Sequence, residues 1–330
     1  ALDEADEMLN MGFVEDVEEI MGHTGEDRRV LLFSATMPER IIRLSEAYMR
    51  NTEVLRVESQ HLTADLTNQI YFEVREADKF DAMTRIIDIE PDFYGIVFCR
   101  TRKETQEIAD KLIADGYNAD CLHGDLSQAQ RDMAMRKFRD HVTQLLVATD
   151  VAARGLDVDD LTHVINYGLP EDTAVYTHRS GRTGRARKTG VSVAIIHSRE
   201  KSKLREIEKK IGKEFEYRKV PTPEHIIEKQ LYHLADRLER VEVNEEQIAK
   251  YLPGVDKKLG WLSGEDLLKR VLSLEFNRLL AYYQDMPDID LNADDKKDKE
   301  KRAKRDRDDR NAERGMERIY VNVGKRQGFY

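Results

Sequence analysis

The chain has 330 residues, with 54 Lys and Arg against 64 Asp and Glu and a formal net charge of −10. That length can bury the cores of two or three domains, and the acidic balance excludes a protein that coats nucleic acid by bulk electrostatics, so any such contact must be local. No apolar run approaches a membrane span, the first residues are acidic, and Cys99 and Cys121 sit in apolar runs without metal or redox spacing, so a cytoplasmic protein with both thiols in core packing is expected.

Ala1-Leu2 reads as the end of a buried strand, and Asp3-Glu4-Ala5-Asp6 follows where the carboxyl end of a parallel strand presents side chains to a ligand. Val30-Leu31-Leu32-Phe33, bounded by charge, reads as a second buried strand. Ser34-Ala35-Thr36 comes next and, taken alone, suits the cap of a helix starting near Pro38. Between Val54 and Thr67 polar residues without a period read as a linker between two lobes.

Gln69 to Val74 then opens a domain in which short apolar strands alternate with helices. The strands are Ile96 to Cys99, Ala119 to Leu122, Leu145 to Ala148, Val164-Ile165 and Val193 to Ile196, with helices over Glu104 to Ala114 and Gln128 to Phe138. Such alternation predicts a parallel sheet covered on both faces. His123 ends one strand and reads as a satisfied core histidine, Asp150 as a helix cap and Asp157 as a turn residue, unless a ligand claims them.

In Tyr176-Thr177-His178-Arg179-Ser180-Gly181-Arg182-Thr183-Gly184-Arg185 cations are interleaved with small residues. If helical, the spacing puts Arg179, Arg182 and Arg185 on one face, and guanidinium forks suit a polyphosphate. After Phe215, Val220-Pro221-Thr222-Pro223 breaks the pattern. Ile226, Ile227, Leu231, Leu234 and Leu238 then recur at helical spacing. A further amphipathic helix begins at Ser263, with Asp266 placed as in a capping box and Leu267 to Leu280 as its apolar face. Residues 294–314 are almost wholly charged, and Arg318 to Gly324 alternates like a strand.

Leu2-Asp3-Glu4-Ala5-Asp6, Ser34-Ala35-Thr36, Ala148-Thr149-Asp150-Val151-Ala152-Ala153-Arg154-Gly155-Leu156-Asp157 and the Tyr176 to Arg185 stretch, in this order, resemble the DEAD-box family of ATP-dependent RNA helicases, of the bacterial cold-shock type. The resemblance runs from Ala1 to about Phe215. It implies an α/β fold: a RecA-like parallel-sheet lobe with helices on both faces over 69–216, preceded by the remnant of a first RecA-like lobe over 1–60 and an interlobe linker over 61–68. A helical extension follows over 217–290. In relatives of this layout such a region dimerises, which implies a homodimer through 222–283. Residues 291–316 then form a charged linker, and 317–330 the start of a truncated RNA-binding domain.

The resemblance also implies ATP and Mg²⁺ as cofactors, and RNA, gripped by its backbone, as partner. Asp3 would hold Mg²⁺ through water and Glu4 would position or deprotonate the attacking water, tasks that suit a carboxylate pair. Arg182 and Arg185 would reach the γ-phosphate, and Asp157 would accept from the ribose. Asp6, Ser34, Thr36 and His178 would couple hydrolysis to unwinding. Arg100, Arg102, Gly124, Gln128, Arg131, Thr149 and Gly155 would contact RNA.

The phosphate-cradling loop Gly-x-x-x-x-Gly-Lys-Ser/Thr does not occur in the sequence. An internal fragment of a helicase, inactive alone, is therefore expected. An ATPase-inactive RNA-binding or scaffold module is the alternative.

Overall fold

The structure is a computed structural model that describes residues 1–284 except 11, 26, 35–36, 38, 50–51, 56–66, 154–157, 159–160 and 185–188, together with 286 and 289. The chain divides into two compact units, Ala1–Gln60 and His61–Tyr330.

In the first unit α1 (Ala5–Asn10), α2 (Val14–His23) and α3 (Glu39–Tyr48) surround a single parallel bridge between Leu2 and Leu32. Val17 and Met21 of α2 meet Leu44 of α3 over Leu2, Val30 and Leu32. The expected buried strand over Val30 to Phe33 is thus reduced to one bridge, and Phe33 is 55% exposed. The reason is pairing: a strand becomes buried on both sides only when neighbours flank it, and among the described residues this one bridges to Leu2, with one further bond from the Ala5 N–H to Phe33 O.

The second unit is built on a seven-stranded sheet. Its strands are β1 (Thr67–Glu73), β2 (Gly95–Cys99), β3 (Ala119–Leu122), β4 (Leu145–Thr149), β5 (His163–Asn166), β6 (Gly190–Ile196) and β7 (Glu216–Tyr217), in the order β3-β4-β2-β5-β6-β1-β7. Every pairing is parallel. The central strands read as continuous apolar runs because both of their faces are covered. On one face Val97, Cys99, Val147 and Ile165 pack with α4 (Lys79–Asp88) and α5 (Arg102–Ala114) through Met83, Ile86, Ile108 and Leu112. On the other, Ile96, Phe98, Leu146 and Val164 take Met135 and Phe138 of α6 (Gln128–Arg139). Beside them Ala194 and Ile196 take Tyr176 of α7 (Thr173–Ser180) and Leu204 and Ile207 of α8 (Lys201–Ile211). The fold expected over this region is present, with helices on both faces of a parallel sheet.

Beyond the sheet come α9 (Pro223–Arg240), α10 (Glu245–Ile248), α11 (Leu252–Leu259) and α12 (Gly264–Tyr283). Thr222 caps α9 and Pro223 occupies its first turn, where a missing N–H costs nothing. Ser263 caps α12 by accepting from the Asp266 N–H at 3.1 Å, but the Asp266 carboxylate turns to the Ser263 hydroxyl at 2.7 Å, so the box is only half formed. Ile226, Leu279 and Tyr283 pack against Ile89 of the sheet domain. The apolar face of α12 is left largely open: Leu267, Leu268 and Leu280 are exposed and Leu274 is 79% exposed. Among the described residues no helix is long and apolar enough to cross a membrane.

Candidate functional site

A parallel sheet brings the loops after its strands to one edge, where α/β folds place ligands. Cys99 of β2 is level with Thr149 of β4, and Leu122 of β3 with Ala148 of β4. Arg100 and Arg102, Gly124, and Thr149 therefore emerge side by side from three adjacent strands. Gln128 and Arg131 add the first turns of α6, whose N-terminus carries a full capping box between Ser127 and Gln130.

The backbone N–H of Arg100 donates to Glu104 at 2.9 Å, and its guanidinium lies over Gly168, where an added Cβ would stand 3.3 Å from Nε. Arg102 donates to Asp125 at 2.5 Å across an exposed surface, a pairing weak enough for a phosphate to displace. Gly124 is exposed, and an added Cβ would meet only Arg102 Cδ at 3.7 Å, so backbone can be approached closely there. Gln128 is exposed and bonded to Asp132.

Arg179 departs from the sequence reading. It is 1% exposed and does not share an outward face with Arg182. Its guanidinium grips Asp150 in a fork, Nε to Oδ1 at 2.5 Å and Nη2 to Oδ2 at 2.8 Å, while Nη1 donates to Asn166 Oδ1 at 3.0 Å and to Gly168 O at 3.1 Å. It also lies 5.2 Å from the centre of the Phe98 ring. Helix α7 ends at Ser180, so the spacing rule that would align the arginines stops applying. Asp150 is accordingly an ion-pair partner rather than a helix cap. The sequence carried a signal for this clamp: Asn166 closes the central strand directly after Val164-Ile165, and a polar side chain buried there needs a partner.

His178 and Arg182 are half-buried at the end of α7. The loop after them is pinned by Thr183, whose hydroxyl donates to Leu161 O at 2.5 Å, and Gly184 takes a φ of +71° that favours glycine. His123 is buried, its Nε2 2.9 Å from Gln106 Oε1, which fits the core-histidine reading. Cys99 is buried and its thiol is pushed far up by burial, so it stays neutral and unreactive. Cys121 packs at the margin of the same core.

In the first unit Asp3 is exposed, and its Oδ1 accepts the Glu4 N–H at 2.9 Å. Glu4 has a φ of +50°, an unusual backbone state for a side chain of its size, of the kind that clusters at functional sites. Asp6 is buried, and its N–H donates to Ser34 Oγ at 3.2 Å, a direct bond between two segments that the sequence singled out separately. Thr36, Gly155, Asp157 and Arg185 lie outside the described residues, as do the charged and strand-like segments after 290.

Comparison with known proteins bears on this geometry. The family described as DEAD/DEAH box helicase matches residues 1–44, the helicase conserved C-terminal domain matches 78–187, and the helical domain of a probable ATP-dependent RNA helicase matches 226–284. DEAD-box ATP-dependent RNA helicase CshA of Bacillus licheniformis is 46% identical over 240 residues, 73% of this chain and 49% of that protein. The protein of the same name from Geobacillus kaustophilus is 45% identical over 258 residues, 78% of this chain and 55% of that protein. The chain spans about half the length of the curated relatives it matches. Among solved structures, S. cerevisiae Dbp5 bound to RNA and ADP BeF3 is 31% identical with a TM-score of 0.60, covering 66% of this chain and 59% of that one.

Proposed function

The chain belongs to the DEAD-box RNA helicase family, and on that premise we propose that it acts in the cytoplasm in ATP-dependent unwinding or remodelling of structured RNA. The observation that carries the reading is the sheet edge. Arg100, Arg102, Gly124 and Thr149 emerge from strands that are immediate neighbours, about 4.8 Å apart in a sheet, with Gln128 and Arg131 beside them. A single strand of RNA laid across this edge finds guanidinium groups for its phosphates and small residues where its backbone comes close. Gly155 is assigned to the same contact.

Asp3 and Glu4 offer oxygen donors of the type Mg²⁺ takes. Among the described residues no group of His, Cys, Asp and Glu forms a metal cage. Mg²⁺ would be held by Asp3 through water. When bound, it would offset phosphate charge. Glu4 orients the attacking water and accepts its proton. Arg182 and Arg185 act on charge that develops at the γ-phosphate, and Asp157 accepts hydrogen bonds from the ribose. The Asp6 to Ser34 bond, with Thr36 and His178, couples nucleotide state to RNA grip.

The open groove between α9 and α12, about 1180 Å³ and lined by Ile227, Leu231, Leu272, Phe276 and Leu280, supports a second proposal, that this face joins two copies of the chain. The activity is tested in a protein carrying the phosphate-cradling loop ahead of Ala1. Arg185→Ala should cut RNA-stimulated hydrolysis by about 10³-fold or more while RNA-free ATP binding holds. If more than about a tenth of turnover survived, far short of a finger's effect, an RNA-binding module without ATPase would become the better reading.

A further inference from the structure

Beneath the arginine-bearing loop, three polar side chains meet in a layer that is otherwise apolar. Gln69 of β1 and Ser192 of β6 are cross-strand partners in register, both buried, on the face where Ala194 and Ile196 follow along β6. Tyr176 of α7, 0% exposed, brings its hydroxyl to both of them. Its single proton goes to Gln69 Oε1, so it accepts from the Ser192 hydroxyl at 2.8 Å. The ring packs on Phe215 with centres 5.4 Å apart, and burial pushes the phenol well up from its ordinary pKa, so the donor stays protonated.

Packing alone does not call for polar groups here, because apolar side chains of similar volume would fill the layer without being desolvated. What the hydrogen bonds add is direction. The Arg179 fork ties α7 to the ends of β4 and β5 through Asp150 and Asn166, and the Tyr176 joint ties the preceding turn to β1 and β6. Two anchors on different strands fix the rotation of the helix as well as its place. Arg182 hangs directly from the end of that helix: the Gly181 N–H donates to Thr177 O at 2.9 Å, the Arg182 N–H to Arg179 O at 3.1 Å and the Thr183 N–H to Ser180 O at 3.2 Å. Any turn of α7 is therefore passed to the Arg182 backbone.

We propose that Tyr176, through its hydroxyl bonds to Gln69 and Ser192, is a positioning residue for Arg182. It touches no substrate and acts by holding α7 in the one rotation that presents the Arg182 guanidinium to the γ-phosphate. The inference rests on the role proposed above for Arg182. Without the hydroxyl the ring still packs on Phe215, but α7 loses its directional hold on β1 and β6. Misplacement by about an ångström can cost about 10²-fold in rate, so a fraction of that shift is visible in turnover while the groups that bind ATP and RNA are untouched.

The test compares Tyr176→Phe with the triple variant Tyr176→Phe/Gln69→Met/Ser192→Ala, which refills the layer with apolar groups, in the protein carrying the phosphate-cradling loop and well below its melting temperature. Both variants should lose about tenfold or more in RNA-stimulated kcat, while KM for ATP and the RNA concentration at half-stimulation stay within about twofold of wild type. The triple variant should melt no lower than Tyr176→Phe, because no buried polar group is left without a partner. In the chain itself, hydrogen exchange over Ser180 to Gly184 should quicken in Tyr176→Phe while the amides of β1 and β6 hold. Turnover that recovers in the triple variant along with its melting temperature would make the joint merely structural and overturn the proposal. Wild-type kcat in Tyr176→Phe, or exchange that quickens equally across the sheet, would overturn it too. Wild-type protein that shows no RNA-stimulated hydrolysis would defeat the proposed function itself, and this inference with it.

Discussion

Arg179 shows how far one residue's role depends on where its helix ends. In sequence it belongs to a run of cations facing a phosphate. In the fold it is a buried fork that ties the loop after β4 to the end of β5 through Asp150, Asn166 and Gly168. Removing one member of a buried pair leaves the other charged and unpaired, so Arg179→Ala should lower the urea stability of the chain by about 3 kcal/mol, and Arg179→Lys should recover little because lysine lacks the planar fork. Unchanged stability would return Arg179 to the phosphate site. His163 gives a second test at this scale. Buried and stacked on Phe93 with ring centres 4.8 Å apart, it is held down to about 4, first by burial and then by Lys229, with Glu90 opposing. The folded form is the poorer proton binder, so its contribution is complete above the unfolded value near 6.5 and is lost as pH falls towards 4. Between pH 7 and 4 the chain should lose roughly 3 kcal/mol more than His163→Gln, measured by denaturation across that range. Asp81 and Asp88, whose carboxyls burial pushes up, act in the opposite direction but equally in both proteins, so they cancel in the difference.

Among the elements, the join between β6 and the loop after α7 governs Arg182. A Cβ on Gly190 would stand 2.2 Å from Thr183 Oγ1 and 2.4 Å from the Gly184 nitrogen, and Thr183 is itself fixed to Leu161 O. Gly190→Ala must displace that loop, so RNA-stimulated hydrolysis should fall about 10²-fold, as misplacement by an ångström does, with about 1–3 kcal/mol of stability lost to overpacking. Steady-state kinetics beside a thermal melt would check it, and wild-type turnover would mean that the loop does not position Arg182. The strands of this sheet were legible because both faces are covered, which leaves apolar runs such as Ile96 to Cys99 and Leu145 to Ala148. The strand at Val30 was overestimated because burial of a strand depends on neighbours that its own residues do not encode. The arginines proposed to meet RNA were legible only through resemblance. The Arg179 clamp and the bond from Asp6 to Ser34 link residues far apart in sequence, and periodicity cannot pair them. Helices α10 and α11 also escaped notice, since each is short and carries no buried residue that would set a period.

For the whole molecule the unresolved balance is apolar surface against charge. The sheet domain covers its own core, yet the extension leaves Leu267, Leu268, Leu274 and Phe276 exposed, and the groove lined by Leu272, Phe276 and Leu280 has Glu224 and Glu228 among its other lining residues. Exposed apolar surface on that scale marks an interaction site, and two-fold pairing through one shared face is the commonest way for identical chains to cover it. Net charge does not forbid this, because at −10 the mutual repulsion is screened within about 8 Å at physiological salt, while contact through the groove is short-range. The expected result of sedimentation velocity at micromolar concentration is a dimer, with Phe276→Glu shifting it to monomer. Phe276 is exposed in the single chain, so the substitution should leave the circular-dichroism spectrum intact. It should also remove the concentration dependence of the melting temperature that an associating chain must show. A wild-type monomer whose melting temperature is independent of concentration would leave the groove to some other partner.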